Sequence, residues 1–204
     1  TNPIIDKSIF EKIMGTDRKL IIEYNDSEWV FNGKNIKTAK SIDASLFISK
    51  LNDEINNNTL KKLSSDIALL SFADNGQLPG KVLIRIKRQE ITKIINNDSV
   101  FVYYYDEKDD SLLKVSTEIQ ENNGYYEFYI NHNSKYILSN KEIKSDIVSS
   151  DAQYLELNTD MREKVLGEGI EQSKYLTYII IGIISISIVG VIITIFLIKR
   201  HGKK

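Results

Sequence analysis

Residues 20–31 read LIIEYNDSEWVF, and their large hydrophobic side chains recur at every second position on both sides of a polar turn. The alternating residues are Leu20, Ile22, Tyr24, Trp29 and Phe31. A period of two places successive side chains on opposite faces of a strand. The stretch therefore predicts a β-hairpin that turns at residues 25–27 and directs one face toward a core.

The same alternation continues along the chain and predicts about eight short strands before residue 140. Besides the hairpin, the candidates are residues 43–48, 67–72, 82–87, 100–105, 112–119, 125–130 and 136–138. Many short strands with one core and no alternating helices are typical of an antiparallel β-sandwich. We therefore expect an all-β fold, an antiparallel β-sandwich, with an open barrel as the structural alternative.

Helix and turn signals punctuate these strands. Asp6 is placed to cap a short helix over residues 7–14, which Gly15 would end. Asn32-Gly33 predicts a turn after the hairpin, because both residues tolerate a positive φ. Asn-Gly and Pro-Gly pairs predict a loop over residues 74–80, which would separate two strands.

A membrane segment is predicted near the end of the chain. Residues 175–198 carry no formal charge, and as a helix they would reach about 36 Å, enough to cross a hydrocarbon core of about 30 Å. Basic residues are retained on the cytoplasmic side and tyrosines settle at the headgroup layer. These topology signals are Tyr175, Tyr178, Lys199, Arg200, Lys203 and Lys204. They predict a single-pass protein with its N-terminal part outside; a tail-anchored protein with a cytosolic head is the alternative.

Four regions follow from this assignment. They are an extracytoplasmic β-sandwich domain at 1–140, a polar stalk at 141–174, a transmembrane helix at 175–198 and a basic cytoplasmic tail at 199–204. The sequence starts at Thr1 without methionine, so we expect a mature or trimmed product that a signal peptide or further modules precede.

Charge and composition exclude some kinds of partner and site and indicate the source of the chain. The chain has 27 basic and 28 acidic residues, but four of the basic ones lie in the tail. The acidic balance of the remainder argues against nucleic acid as a partner. The chain contains no cysteine, which excludes disulfides and thiolate metal sites. Richness in Ile, Asn and Lys favours a low-GC Gram-positive bacterium as its source.

His132 and Ser134 raise the question of a hydrolase. On an extended backbone His132, Ser134 and Tyr136 would share the face of the apolar residues around them, which is the core face. A catalytic triad needs a nucleophile presented in a cleft and a base oriented by a carboxylate, and no nucleophile elbow is present. We therefore expect these three residues to be structural, with His132 and Ser134 hydrogen-bonded to each other.

An acidic turn raises the question of calcium. Four carboxylates cluster between residues 106 and 110, but Lys108 lies among them and the spacing is not that of an EF-hand. We expect a solvated turn, no cofactor and no metal.

Tyrosine is dense on the predicted strands, and alternation sends part of it outward. We predict a binding surface that includes Tyr104, Tyr125 and Tyr129, because tyrosine buries a large area at low entropic cost. Outward tyrosine also arises from strand propensity and cross-strand pairing alone.

In the membrane segment Gly182, Gly190 and Thr194 are small enough to let two helices approach, which allows a weak homodimer.

Several of these stretches resemble one class of bacterial module. They are residues 29–33 (WVFNG), 70–72 (LSF), 75–80 (NGQLPG), 102–105 (VYYY) and 128–138 (FYINHNSKYIL). Over residues 5–140 they are similar to Ig-like β-sandwich modules at the C-terminal, membrane-proximal end of Gram-positive cell-surface proteins. The resemblance implies a structural or binding role and transfers no catalytic residue. No sortase-type motif precedes residue 175, so anchoring is expected through the helix itself.

These observations predict a membrane-anchored, non-enzymatic scaffold or protein-interaction module at the cell surface. Its expected partners are the lipid bilayer and an extracellular or membrane protein, without nucleic acid. The alternative is a ligand-binding sensor or regulatory subunit that acts through a membrane partner. A surface hydrolase or metal-dependent enzyme finds no support in residue types or spacing.

Overall fold

The computed structural model describes residues 3–51, 60, 63, 67–95, 97–143, 148–150 and 157. The chain divides into two compact units, Thr1–Thr159 and Asp160–Lys204, and all described residues belong to the first. They form eleven strands and two short helices. The elements are β1 Ile4–Ile5, α1 Lys7–Ile13, β2 Lys19–Tyr24, β3 Ser27–Ile36, β4 Ile42–Asp43, β5 Leu46–Lys50, β6 Ile67–Lys87, α2 Arg88–Thr92, β7 Ser99–Asp106, β8 Ser111–Lys114, β9 Ile119–Gln120, β10 Tyr125–Ser139 and β11 Val148–Ser150.

Strand pairing confirms the all-β class. Within the described ranges, seven strands follow one another in the order β11-β8-β7-β10-β6-β3-β2. Strand β5 pairs with β6, β9 pairs with β7, and β1 and β4 form a separate two-stranded sheet. The ladders are antiparallel except for β11 beside β8, which is parallel. Strand β11 thus extends the sheet within the segment predicted as stalk.

The hairpin and the short helix that the sequence predicts near the N-terminus are both present in the structure. The predicted hairpin is confirmed as β2 and β3, with Asn25 in the turn at φ 52°. Helix α1 is capped by Asp6, whose Oδ1 accepts a hydrogen bond from the Ser8 amide. Phe10 and Ile13 of α1 are buried.

The turn predicted at Asn32-Gly33 is wrong, because β3 runs through it to Ile36. Gly33 instead lets the end of α1 approach the strand: its carbonyl accepts the Gly15 amide at 2.9 Å, and its amide donates to the Arg18 carbonyl at 2.8 Å. A Cβ on Gly33 would lie 2.7 Å from the Thr16 carbonyl oxygen and closer still to that of Ile13. Glycine is needed here for close backbone contact.

The loop predicted over residues 74–80 is also wrong, because it lies inside β6, a strand of 21 residues. Two strands predicted at 125–130 and 136–138 likewise form one strand, β10. The two long strands pair along most of their length, with register shifts between Ile130 and His132 and between Asn133 and Lys135. Turn-forming residues such as Gly76, at φ 117°, therefore lie at bends of a single long strand, where its ladder with β10 shifts register.

These bends fold the sheet back on itself. Phe72 lies in the half of β6 that pairs with β5, whereas Trp29 pairs with Ile84 in the other half. A straight strand would separate positions 72 and 84 by about 40 Å, at some 3.3 Å per residue. The ring centroids of Trp29 and Phe72 are nevertheless 5.2 Å apart. The main core is enclosed between the two layers that this fold creates.

The outer face of one layer is covered by a second hydrophobic cluster. Its buried members are Leu60, Ile67, Leu69, Tyr103, Tyr105, Leu112 and Ile137. Leu51, Leu63 and Ile143, from segments beside the sheet, and Val148 of β11 pack against them. Most of this side is therefore interior, although Phe47 on β5 is 62% exposed.

The described part of the chain contains no helix long and apolar enough to cross a bilayer. The predicted transmembrane helix and tail lie outside the described residues. The predicted site residues concerned are Tyr175, Tyr178, Gly182, Gly190, Thr194, Lys199, Arg200, Lys203 and Lys204.

Candidate functional site

The candidate site is the outward side of β2, β3, β6 and β10, here called the outer face. Because Trp29 and Ile84 point into the core, their neighbours along each strand point outward. Strand register aligns these outward residues in rows across the sheet. One row is apolar and consists of Ile21, Val30, Leu83 and Tyr129. The next row is charged and consists of Glu23, Glu28, Arg85 and Glu127.

The charged row is centred on Arg85. Its Nε lies 2.7 Å from Glu127 Oε1, and its Nη1 pairs with Glu28 Oε2. The three side chains are only 25%, 15% and 12% exposed for Arg85, Glu28 and Glu127. Partial burial by itself lowers the pKa of Arg85, but hydrogen bonds and charge from Glu127 and then Glu28 raise it above the ordinary value. Arg85, Glu28 and Glu127 therefore form a charge-assisted network within the row.

Two predicted tyrosines lie on the outer face, and each has a cation above its ring. Arg85 Cζ is 4.2 Å from the centroid of Tyr125, and Lys81 Nζ is 4.1 Å from that of Tyr129. A hydrogen bond with Glu28 is the main cause that raises the pKa of Tyr125. These contacts hold both rings in place, so the face presents ordered aromatic groups.

Tyr104 does not join them. It lies on β7 and packs at the edge of the main core, 5.8 Å from the His132 ring and 5.6 Å from the Tyr136 ring between centroids. Burial raises its pKa, against a hydrogen bond with Ser134. The predicted three-tyrosine surface is therefore reduced by the structure to Tyr125 and Tyr129.

The predicted structural group lies where β10 bends. The Tyr136 hydroxyl donates to the His132 carbonyl at 2.6 Å, and Ser134 is buried and bonds to Tyr104. Among the described residues, Nδ1 of His132 has no hydrogen-bond partner, so the predicted bond to Ser134 is not formed at that atom. Burial, and then the charge of Lys40, lower the pKa of His132.

Asp106 and Asp110 stabilise the β7–β8 turn itself, whereas Glu107 pairs with Lys135 on β10. Asp106 Oδ1 accepts the Lys108 amide at 2.9 Å, and Asp110 accepts the Tyr105 hydroxyl at 3.2 Å. Burial, and then Asp110, raise the pKa of Tyr105 to about 12. Within the described ranges, no group of three potential metal ligands is arranged to hold an ion.

An open cavity of about 420 Å³ adjoins the outer face. Lys81 and Asn131 belong to its lining, and Lys37, Thr38 and Gln77 provide further polar groups. Sequence reasoning missed this cavity and the Arg85 network. The alternation around Arg85 already indicated that it points outward, but its partners Glu28 and Glu127 are 57 and 42 residues away.

Comparison with known proteins adds no assignment to this geometry. No protein-family model, no curated protein and no solved structure matches this chain.

Proposed function

We propose that this protein is a non-catalytic scaffold or protein-interaction module, held at a cell membrane by residues 175–198, with its strand domain on the extracytoplasmic side. The observation that carries the proposal is the outer face, where Tyr129 in the apolar row and Tyr125 beyond the charged row each lie under a cation.

Two properties of this face support binding. Its tyrosines are held by Arg85 and Lys81, so little side-chain entropy remains to be lost when a partner docks. Ile21, in the apolar row, is 55% exposed although it is large and hydrophobic. Aromatic and arginine side chains around an apolar centre are typical of binding hot spots.

The finer fold assignment belongs to the same proposal. Two packed layers with a core between them support an Ig-like β-sandwich of the kind found at the membrane-proximal end of Gram-positive surface proteins. One feature distinguishes this chain: β6 and β10 run through both layers, whereas the two sheets of an immunoglobulin domain are built from separate strands.

The membrane and its orientation are supported by sequence alone. The uncharged segment 175–198 and the basic residues after it are the observations on which this part depends.

The proposal is tested by replacing both Tyr125 and Tyr129 with serine in the full-length chain. Proteins crosslinked to the wild type in intact cells are identified by mass spectrometry, and we expect the double variant to lose them. The matched control is Phe47→Ser, since Phe47 is 62% exposed on β5 in the other layer. Unchanged capture by a double variant that still folds would refute the binding role.

A second candidate is a ligand-binding sensor or regulatory subunit. The cavity beside Lys81 favours it, because 420 Å³ falls within the size range of small-molecule sites. Extraction in mild detergent separates the two functions: a sensor would co-purify with a stoichiometric membrane partner, whereas a spacer would not.

A further inference from the structure

The two layers differ in what covers their outward sides. In one layer most of the outward side is buried in the second hydrophobic cluster, as Tyr103, Leu112 and Ile137 show, while Phe47 on β5 is exposed. On the outer face, Val30, Leu83 and Tyr129 are half-buried and Ile21 is exposed. The apolar row thus lies at the surface, flanked by charged side chains on both sides.

Charge changes sign along this face. On one side of the apolar row lie Lys19 and Lys81, and on the other lies the charged row, in which three glutamates exceed the single Arg85. Glu23 on β2 is directly opposite Glu28 on β3. Like charges in this position destabilise a strand pair, so an additional cation placed over Glu23 would be stabilising. In the part of the chain that the structure describes, neither Lys19 nor Glu23 forms an ion pair.

We propose that the outer face binds a second copy of this chain, through a two-fold axis that runs along the apolar row. Rotation about that axis places the lysine side of one copy over the charged row of the other. Lys19 of each copy then faces Glu23 of the second copy, and the apolar row packs on itself. Lys81 faces Arg85, whose positive charge is exceeded by the negative charges of the two glutamates bonded to it. This inference rests on the proposed function and names its partner.

The size of the face determines the strength of this dimer. Four strands about 4.8 Å apart and three rows about 6.8 Å apart cover on the order of 400 Å² per copy. A stable interface buries about 800 Å² per partner. The pairing is therefore weak and salt-sensitive in solution, and it is promoted when chains share a membrane, because tethering raises their effective concentration.

Exchanging the charges of Lys19 and Glu23 tests the proposed two-fold geometry. Self-association of the full-length chain is measured by sedimentation velocity in mild detergent at low ionic strength. Lys19→Glu alone and Glu23→Lys alone each create two repulsive contacts per dimer, and we expect about tenfold weaker association. The double variant Lys19→Glu/Glu23→Lys restores opposite charges across the axis and should return association to the wild-type value. Lys50→Glu on β5 is the matched control and should leave association unchanged.

A proximity test uses the absence of native cysteine. Ile21→Cys lies on the axis and should crosslink to itself through a short bis-maleimide, whereas Phe47→Cys, on the other layer and slightly more exposed, should not. Failure of the double variant to restore association overturns the inference. A dimer that is insensitive to both charge reversals but lost on Gly190→Leu also overturns it, since pairing would then lie in the membrane segment.

The two proposals fail separately. If self-association is absent but capture of another surface protein still depends on Tyr125 and Tyr129, the inference falls and the interaction function stands. If neither is found in folded variants, both fall.

Discussion

Replacing Arg85 with methionine removes the cation that holds two nearly buried carboxylates together. Arg85 donates one charge-assisted hydrogen bond to Glu127 and one to Glu28, and each such bond contributes about 1.5–3 kcal/mol. The glutamates, 12% and 15% exposed, would then repel each other across the vacated position. Because water can enter beside them, we take the lower end of the range and expect a loss of about 3 kcal/mol.

Urea unfolding followed by circular dichroism measures this loss. With a denaturant slope of about 2 kcal/mol per molar, the midpoint should fall by about 1.5 M. Glu28→Gln and Glu127→Gln added to Arg85→Met remove the repulsion and should recover most of the stability. Arg88→Met is the matched control, since Arg88 pairs at the surface with Asp98, which is 79% exposed, and its midpoint should remain near that of the wild type. A drop below about 0.5 kcal/mol for Arg85→Met would refute the network.

Three further predictions test the fold around the site. Gly33→Ala should cost about 3 kcal/mol in urea unfolding, because its Cβ overlaps backbone atoms. Gly15→Ala has open space around its Cβ and only the strain of φ 74° to bear, so it should cost about 1 kcal/mol; equal losses would contradict the close approach. Phe72→Ala should lower the free energy of unfolding by about 3 kcal/mol, because it removes a ring packed between the layers. Phe47→Ala, at an exposed position, should change it by under about 0.5 kcal/mol, and similar effects of the two variants would exclude the fold-back. Since the pKa of His132 is lowered below 6.5, the unfolded state binds a proton before the folded state does, and the free energy of unfolding should fall as the pH decreases below about 6.5. His132→Gln should remove that part of the pH dependence, and an unchanged pH dependence would contradict the lowered pKa.

Local signals carried the sequence predictions that succeeded. The hairpin at residues 20–31 and helix α1 depend on neighbours within a few residues, and both are confirmed. Asn32-Gly33 and the pairs within residues 74–80 were misplaced for a common reason. Glycine permits a turn, but it equally permits a bend or a close backbone contact inside a strand, and only the partner strand decides between them.

The features that could not be predicted depend on pairing between strands that are distant in the sequence. Outward orientation of Tyr125 and Tyr129 follows from alternation and is found in the structure. Alternation shows which side chains share a face within one strand but not between strands, so the sequence does not separate Tyr104 from these two. The fold-back of β6 and β10 places Tyr104 against Tyr136 at the edge of the core. The Arg85 network joins three strands whose register cannot be read from one sequence.

The interaction role depends on the strand domain lying outside the membrane, and cysteine labelling tests this most directly. The chain has no cysteine, so Ser49→Cys, on exposed β5, and Lys203→Cys, in the tail, each provide one thiol. In intact wall-stripped cells a membrane-impermeant maleimide should label Ser49→Cys, and it should label Lys203→Cys only after permeabilisation. Labelling of Lys203→Cys alone in intact cells would reverse the topology and contradict the proposed function.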